Sequence, residues 1–152
     1  MKKRHSIFPT DKAEEIKKAL DIRKQVFQNE QHVKKEIDFD GLEYESLHMI
    51  YEYDGIYVAT LRIRFPEEAN SAQIERVAVL KQYRNRNFAT RLLEQTLKYL
   101  KSIHIKKAYL FAQLKAKNLY LKTGFQVVGD IFVAESGIPH IRMEMSLENK
   151  EI

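Results

Sequence analysis

Three observations predict a mixed α/β chain, α+β in character, with a mostly antiparallel sheet flanked by helices. Residues 47–53 and 56–65 are alternating runs separated by Asp54-Gly55, a dipeptide suited to a tight hairpin turn. Residues 74–100 join the β-rich run Ile74-Glu75-Arg76-Val77-Ala78-Val79 to the basic bend Lys81-Gln82-Tyr83-Arg84-Asn85-Arg86. Beyond the bend, Ala89, Leu92, Leu93, Thr96, Leu97 and Leu100 recur at helical spacing. The resulting order, ααβββαβαββ, implies an antiparallel meander followed by one parallel pairing across the long helix.

Taken in order, residues 6–8 start a short strand, and Thr10 or Asp11 is a suitable N-cap for a helix running to about Gln28 along Ile16, Ala19, Leu20, Arg23 and Phe27. Residues 29–41 are polar, acid-rich and of mixed period, and read as a short helix and a loop ending near Gly41. In the second hairpin strand, Val58, Thr60, Arg62 and Arg64 share one face, and Tyr57, Ala59, Leu61 and Ile63 the other. Residues 66–70 form a turn and 71–79 the next strand. After the long helix come a strand at 106–112 and a short helix at 115–122 that Gly124 closes. A strand at 125–133, a turn at 134–139 and a last strand at 140–146 follow. The final few residues are charged and expected to fray. There is no repeat, low-complexity stretch or linker, so residues 1–152 read as a single domain.

At 152 residues, with 44% hydrophobic and 11% aromatic content, the chain is long and apolar enough to bury a substantial core. No apolar run approaches a membrane span, and the N-terminus leads into no signal-peptide core. With no cysteine there is no disulfide framework, thiolate metal site or catalytic thiol. The economical expectation is a cytoplasmic location. A formal charge of +5 suits a polyanionic ligand, RNA, DNA or an acidic surface equally. The scattered histidines, without cysteine pairs or a His-Glu-x-x-His helix, predict no metal.

A strand, a basic turn and a helix N-terminus in that order make a place for an anion. First-turn N–H groups lack intrahelical partners where the macrodipole is positive, and Arg84, Arg86 and Arg91 add charge suited to phosphate. Arg84-Asn85-Arg86-Asn87-Phe88-Ala89 resembles the Arg/Gln-x-x-Gly-x-Gly/Ala turn of the GNAT superfamily of N-acyltransferases, with Asn87 standing where the pattern usually has Gly. Asn tolerates unusual backbone conformations and is a good N-cap. The resemblance implies the GNAT acyltransferase fold and acetyl-coenzyme A as co-substrate. Arg84, Asn85, Arg86, Asn87, Phe88, Ala89 and Thr90 are then expected at the pyrophosphate, mainly through backbone N–H groups. Val77 and Val79 fall on the strand that bonds the pantetheine arm, and Asn118 is a further coenzyme contact.

The stretch from Gln113 to Phe125 resembles the later GNAT signature Asn-x-x-Ala-x-x-x-Tyr-x-Lys-x-Gly-Phe. Gln113 takes the Asn place, while Ala116, Tyr120, Lys122, Gly124 and Phe125 agree. By this resemblance Tyr120 is the acid that protonates the leaving thiolate, which suits a phenol of pKa ~10. The run Ile22-Arg23-Lys24-Gln25-Val26-Phe27-Gln28-Asn29-Glu30-Gln31, then Glu36, Asp38, Asp40 and His48, and Ser136-Gly137-Ile138-Pro139-His140 with Met143, resemble the ElaA-like branch. That likeness places Glu30, Asp38, Asp40, His48 and His140 on the acceptor side.

Acyl transfer to an amine needs a neutral amine, a polarised carbonyl and a protonated leaving thiolate. Backbone N–H groups of residues 75–79 are the expected polarisers, Tyr120 the acid and Glu75 the candidate base. Without a cysteine or other activated nucleophile, direct transfer in a ternary complex is expected rather than a ping-pong route. The acceptor is an amine of unspecified class. Several of these residues also have plainer readings: Glu75 as an ion-paired strand residue, His48 and His140 as hydrogen-bonded structural histidines, and residues 30–40 as a solvated acidic loop. Two other functions fit less of the chain. One is a non-catalytic coenzyme-sensing protein of the same fold, favoured by Asn87 and Gln113. The other is a nucleic-acid module using Tyr51, Tyr53 and Tyr57 with Arg62 and Arg64. An exposed edge strand near either end leaves room for a homodimer.

Overall fold

The computed structural model describes residues 2–148, so the charged end at 149–152 lies outside the described residues. The sheet is built from β1 (His5–Thr10), β2 (Leu47–Tyr53), β3 (Ile56–Arg64), β4 (Ser71–Val79), β5 (Lys107–Gln113), β6 (Gln126–Val127), β7 (Phe132–Val133) and β8 (Pro139–Ser146). Its order is β1-β2-β3-β4-β5-β8-β6, with β7 also on β8. Among the described residues only β4 and β5 pair in parallel, across helix α3 (Phe88–Ser102), and every other pairing is antiparallel. The meander and the single crossover therefore stand as the sequence predicts. Pro9 falls within β1, where an edge strand can spare one N–H.

Helix α1 (Ala13–Arg23) packs against β3 and β4 on one side of the sheet, and α3 packs on the other with α4 (Lys117–Thr123) beside it. The stripe Leu92, Leu93, Leu97 and Leu100 meets Ala59, Leu61, Ile63, Leu110 and Met143 in the main core. Thr60 and Arg62 lie on the opposite face of β3, and both are completely buried. A smaller cluster joins Ile22, Val26 and Phe27 to Ala78 and Leu80.

Local departures from the sequence reading have physical causes. The first helix does not run unbroken to Gln28: past Arg23 it widens into a π-helical segment, Lys24–Glu30, before the short α2 (Lys35–Asp38). The wider turn brings Val26 and Phe27 against Ala78 and Leu80. Neither Thr10 nor Asp11 is the N-cap; Lys12 holds that place without a side-chain bond. The Thr10 hydroxyl still braces the helix start, accepting from the Lys12 N–H at 3.1 Å and donating to Glu15. The expected strand at 125–133 is two short pieces. Five positions separate Val127 from Phe132, but only three separate their partners Met143 and His140, so the excess chain loops out. Gly124 ends α4 at φ +114°, and a Cβ there would lie 3.2 Å from Met145 Cε.

Candidate functional site

The site begins with a fault in β4. Thr60 pairs with Ala78 and Arg62 with Glu75, so Arg76 and Val77 together oppose Leu61. This bulge puts Arg76 at φ +56°, which disfavours a side chain by about 1–2 kcal/mol. Its guanidinium offsets that strain through the Ile37 carbonyl at 3.1 Å, Asp40 at 3.4 Å, Glu75 at 3.5 Å and Asp38 at 3.6 Å. Below the bulge β4 and β5 are zipped, Ser71–Gln73 against Lys107–Tyr109. The pairing ends at Gln73, short of the bulge, and beyond it the strands part. A cleft of about 890 Å³ occupies the parting, lined by residues 73–79 of β4, by Leu110, Phe111 and Gln113 of β5, and by Tyr120 of α4. The β5-facing edge of β4 thus has no recorded strand partner beyond Gln73, and Val77 and Val79 look into a cavity.

At one end of the cleft lies the turn into α3. Asn85 and Asn87 both adopt left-handed backbone, at φ +61° and +63°. Asn87 makes no side-chain cap bond, so its fitness there is conformational: after Gly, Asn enters this region most readily. Among the described residues, the N–H groups of residues 85–90 have no recorded hydrogen-bond partner, and the first bond into the helix is Arg91 N–H to the Asn87 carbonyl at 3.1 Å. Arg84, Asn85 and Ala89 line the cleft. The arginine side chains are committed within the protein. Arg84 Nε donates to the Val79 carbonyl at 3.0 Å, and its two terminal nitrogens reach the Glu30 carboxylate at 2.8 Å each. Arg86 lies over the rings of Tyr53, Tyr83 and Phe88 at 5.4–5.6 Å, and Arg91 reaches toward His5 at 3.5 Å. Phe88 is buried beneath them, and Thr90 is half-buried in the first turn of the helix.

Tyr120 lines the cleft from α4 with its ring edge-on to Phe125. Burial pushes its phenol well above the ordinary range, so it remains protonated at any physiological pH. Asn118, on the same helix, is exposed and outside the cleft lining. Gln113 carries its amide across to Gln31, donating at 2.9 Å and accepting at 3.5 Å, which ties the end of β5 to the segment after α1.

The acidic residues do not gather as one group. Glu30 sits with Arg84 at the α3 turn. Asp38 is buried against Arg23, whose Nε and Nη2 reach its Oδ1 at 3.2 and 3.1 Å while Nη2 also bonds its carbonyl. Asp40 accepts from both terminal nitrogens of Arg62 at 2.8 and 2.7 Å. Burial alone would raise the Asp40 carboxyl, but the Arg62 guanidinium and the Leu42 N–H hold it far below the usual range. Arg62 is raised in turn, its own burial outweighed by Asp40 and Glu75. Glu75 has Oε1 3.0 Å from Arg62 and Oε2 3.5 Å from Arg76. Asp38, Asp40 and Glu75 line the cleft. His48 does not: it is fully buried, bonds the Glu43 carbonyl through Nε2 at 2.7 Å, and is lowered chiefly by desolvation. His140 does line the cleft, and its Nδ1 lies 2.7 Å from the Ile138 carbonyl. That contact makes Nδ1 the protonated nitrogen and leaves Nε2 as the acceptor. Sequence reasoning allowed Glu75 an ion pair, which it makes with Arg62 and Arg76, but missed the pairings of Asp38 and Asp40 and the bulge. The only available signal was Arg62 alternating inward with Thr60. Among the described residues there is no group of three potential metal ligands, and no helix is long and apolar enough to cross a membrane.

Comparison with known proteins gives a consistent family. Residues 9–147 match the family described as the acetyltransferase (GNAT) domain. The uncharacterised N-acetyltransferase YjcF of Bacillus subtilis (strain 168) is 32% identical over 131 residues, covering 86% of this chain and 91% of that protein. An acyl-CoA N-acyltransferase structure from Pseudomonas aeruginosa superposes with a TM-score of 0.81 at 25% identity, over 93% of this chain and 99% of the other. The structure of Escherichia coli ElaA has the same fold, with a TM-score of 0.82 at 24% identity and the same coverage.

Proposed function

The chain belongs to the GNAT acetyltransferase family and is an acyltransferase, and from that premise we propose that it moves the acetyl group of acetyl-coenzyme A directly to a primary amine held in the same cleft. The observation that carries this reading is the parting of β4 from β5, with the free N–H groups of residues 85–90 at one end and Tyr120 on its wall. Arg84, Asn85, Arg86, Asn87, Phe88, Ala89 and Thr90 hold the pyrophosphate chiefly through main-chain N–H groups at a helix N-terminus. Val77 and Val79 offer backbone groups to the pantetheine amides, and Asn118 contacts the coenzyme from α4.

In the reaction a C–N bond forms between amine and acetyl carbon while the C–S bond breaks. Backbone N–H groups of the bulged stretch of β4 face the oxygen on which negative charge develops. Tyr120 donates its proton to the departing sulfur and regains one from solvent. Both oxygens of Glu75 already face arginines, so Glu75 takes the amine proton through an intervening water rather than by direct contact. Asp38, Asp40 and His140 shape the acceptor end. Glu30 acts from the α3 turn through Arg84, and His48 from behind the network.

Calorimetric titration with acetyl-coenzyme A, with dephospho-coenzyme A and a short RNA as controls, tests this directly. Micromolar binding of the acetylated coenzyme, lost on charge reversal of Arg84 and Arg86, is expected. Retained RNA binding without coenzyme binding would sink the reading. Coenzyme binding with no amine turned over would instead favour a sensing protein on this fold.

A further inference from the structure

Resting on that acetyltransferase reading, we propose that the acceptor is a small monoamine whose nitrogen is joined by a short link to an aromatic or branched apolar body. Helix α1 covers β3 and β4 on its side of the sheet, and β5 and β8 continue on that side beyond it. Cross-strand partners share a face, so Tyr109 with Glu144, Phe111 with Arg142 and Gln113 with His140 form one surface of β5 and β8. On it Tyr109 meets Phe111 at 6.1 Å, Phe111 meets Phe132 of β7 at 5.7 Å, and Phe132 meets His140 at 6.0 Å. The Arg142 guanidinium, 4.3 Å from the Tyr109 ring centre, closes one end of this run of rings. Phe111 and Phe132 are each 40% exposed, and with His140 they line the cleft that Tyr120 enters. Two adjacent rings left half bare beside a reacting centre are apolar surface that a ligand would bury.

The wall opposite decides the charge. Asp38, Asp40 and Glu75 are acidic, but Arg23, Arg62 and Arg76 neutralise them within the protein. Of the carboxylates lining the cleft, only Glu36 and Glu135 are in no recorded ion pair among the described residues, and both are exposed at its margin. A polyamine would need a row of free carboxylates along its length; a single ammonium group needs one. The size of the space points the same way, since about 890 Å³ must hold the end of the pantetheine arm as well as the acceptor. An amine with an apolar body satisfies both walls at once.

The experiment is a rate comparison by thiol release with acetyl-coenzyme A, using ethylamine, 2-phenylethylamine, spermidine and a peptide with an N-terminal phenylalanine. We expect kcat/KM for 2-phenylethylamine at least tenfold above that for ethylamine, and above those for spermidine and the peptide. Phe111→Ala and Phe132→Ala should each remove most of that preference through KM, with kcat for 2-phenylethylamine retained. Both side chains are partly exposed, and thermal melts of the variants check that the fold is intact. Preference for spermidine or the peptide, equal rates for the two simple amines, or a preference untouched by both substitutions would overturn the proposal. So would acceptance of none of the amines by protein that binds acetyl-coenzyme A in calorimetry, which would leave the coenzyme site standing. Failure to bind acetyl-coenzyme A would remove the acetyltransferase reading itself, and this proposal with it.

Discussion

Arg84 and Glu30, 54 positions apart in the chain, form a two-pronged ion pair with both contacts at 2.8 Å. With its third nitrogen on the Val79 carbonyl, Arg84 staples the end of the π-helical segment to the end of β4, beside the N–H groups proposed to hold pyrophosphate. The hydrogen bond from Arg84 is also the main reason the Glu30 carboxyl lies below its ordinary range. The pair is about one-third exposed, so its contribution to stability is under about 1 kcal/mol. Its consequence is for the anion. Glu30→Gln removes a negative charge next to the turn, and acetyl-coenzyme A should bind roughly threefold tighter at low salt, while Arg84→Ala weakens binding. Calorimetry on both variants decides; weaker binding in Glu30→Gln would mean the carboxylate serves to shape the turn.

Tyr120→Phe removes one hydroxyl from a packed ring. Turnover should fall roughly 10²-fold, as for loss of a general acid, with coenzyme affinity nearly unchanged. Single-turnover rates beside a calorimetric Kd separate the two quantities. An unchanged rate would assign the thiolate proton to another donor.

Asn87 occupies left-handed backbone without using its side chain as a cap. Asn87→Gly should therefore keep both stability and coenzyme binding. Asn87→Ala should cost about 1 kcal/mol in chemical denaturation and weaken binding by distorting the turn. Equal stability of the two variants would show that the backbone conformation is not what selects the residue.

Acid should loosen the network around Arg62. The Asp40 carboxyl is depressed when folded, so its contribution is fully present above the unfolded value of about 4 and is lost as pH falls below that toward the folded value. Asp40→Asn should cost about 1–3 kcal/mol at neutral pH, because Arg62 keeps Glu75 but loses two charge-assisted bonds. Its stability should then fall less steeply than that of the parent between pH 4 and 2. Urea midpoints across that range measure the difference, and parallel curves would remove Asp40 as a contributor.

Much of this molecule is written locally. Asp54-Gly55 has the two positive φ values, +51° and +83°, that its hairpin needs. The stripe of α3 is buried where its spacing requires, and Gly124 stops α4 at a left-handed angle. Asn87, the departure from the family turn, adopts the conformation that makes Asn an acceptable replacement for Gly. Each of these depends on a few neighbouring residues, so chain order is enough to reveal it.

The site was legible only in part, because its decisive contacts join distant residues. Arg23 meets Asp38 across 15 positions, Arg62 meets Asp40 across 22, and Arg84 meets Glu30 across 54. A sequence displays charges without showing which of them neutralise one another. The acidic stretch 30–40 therefore reads as either an acceptor-side group or a solvated loop, although most of its charge is balanced within the protein. The bulge at Arg76 is hidden for a related reason. No Gly or Asn marks it, and the strain of its positive φ is offset by carboxylates and carbonyls supplied from α2 and the loop after it. By itself the sequence determined the run from β2 through β3, β4, α3 and β5 to α4, the family and the α3 turn, since periodicity and turn chemistry act over a few residues. Only the tertiary structure decided where β4 leaves β5, which charges remain free and which rings line the cleft, because those depend on long-range partners that exist only once the sheet has closed.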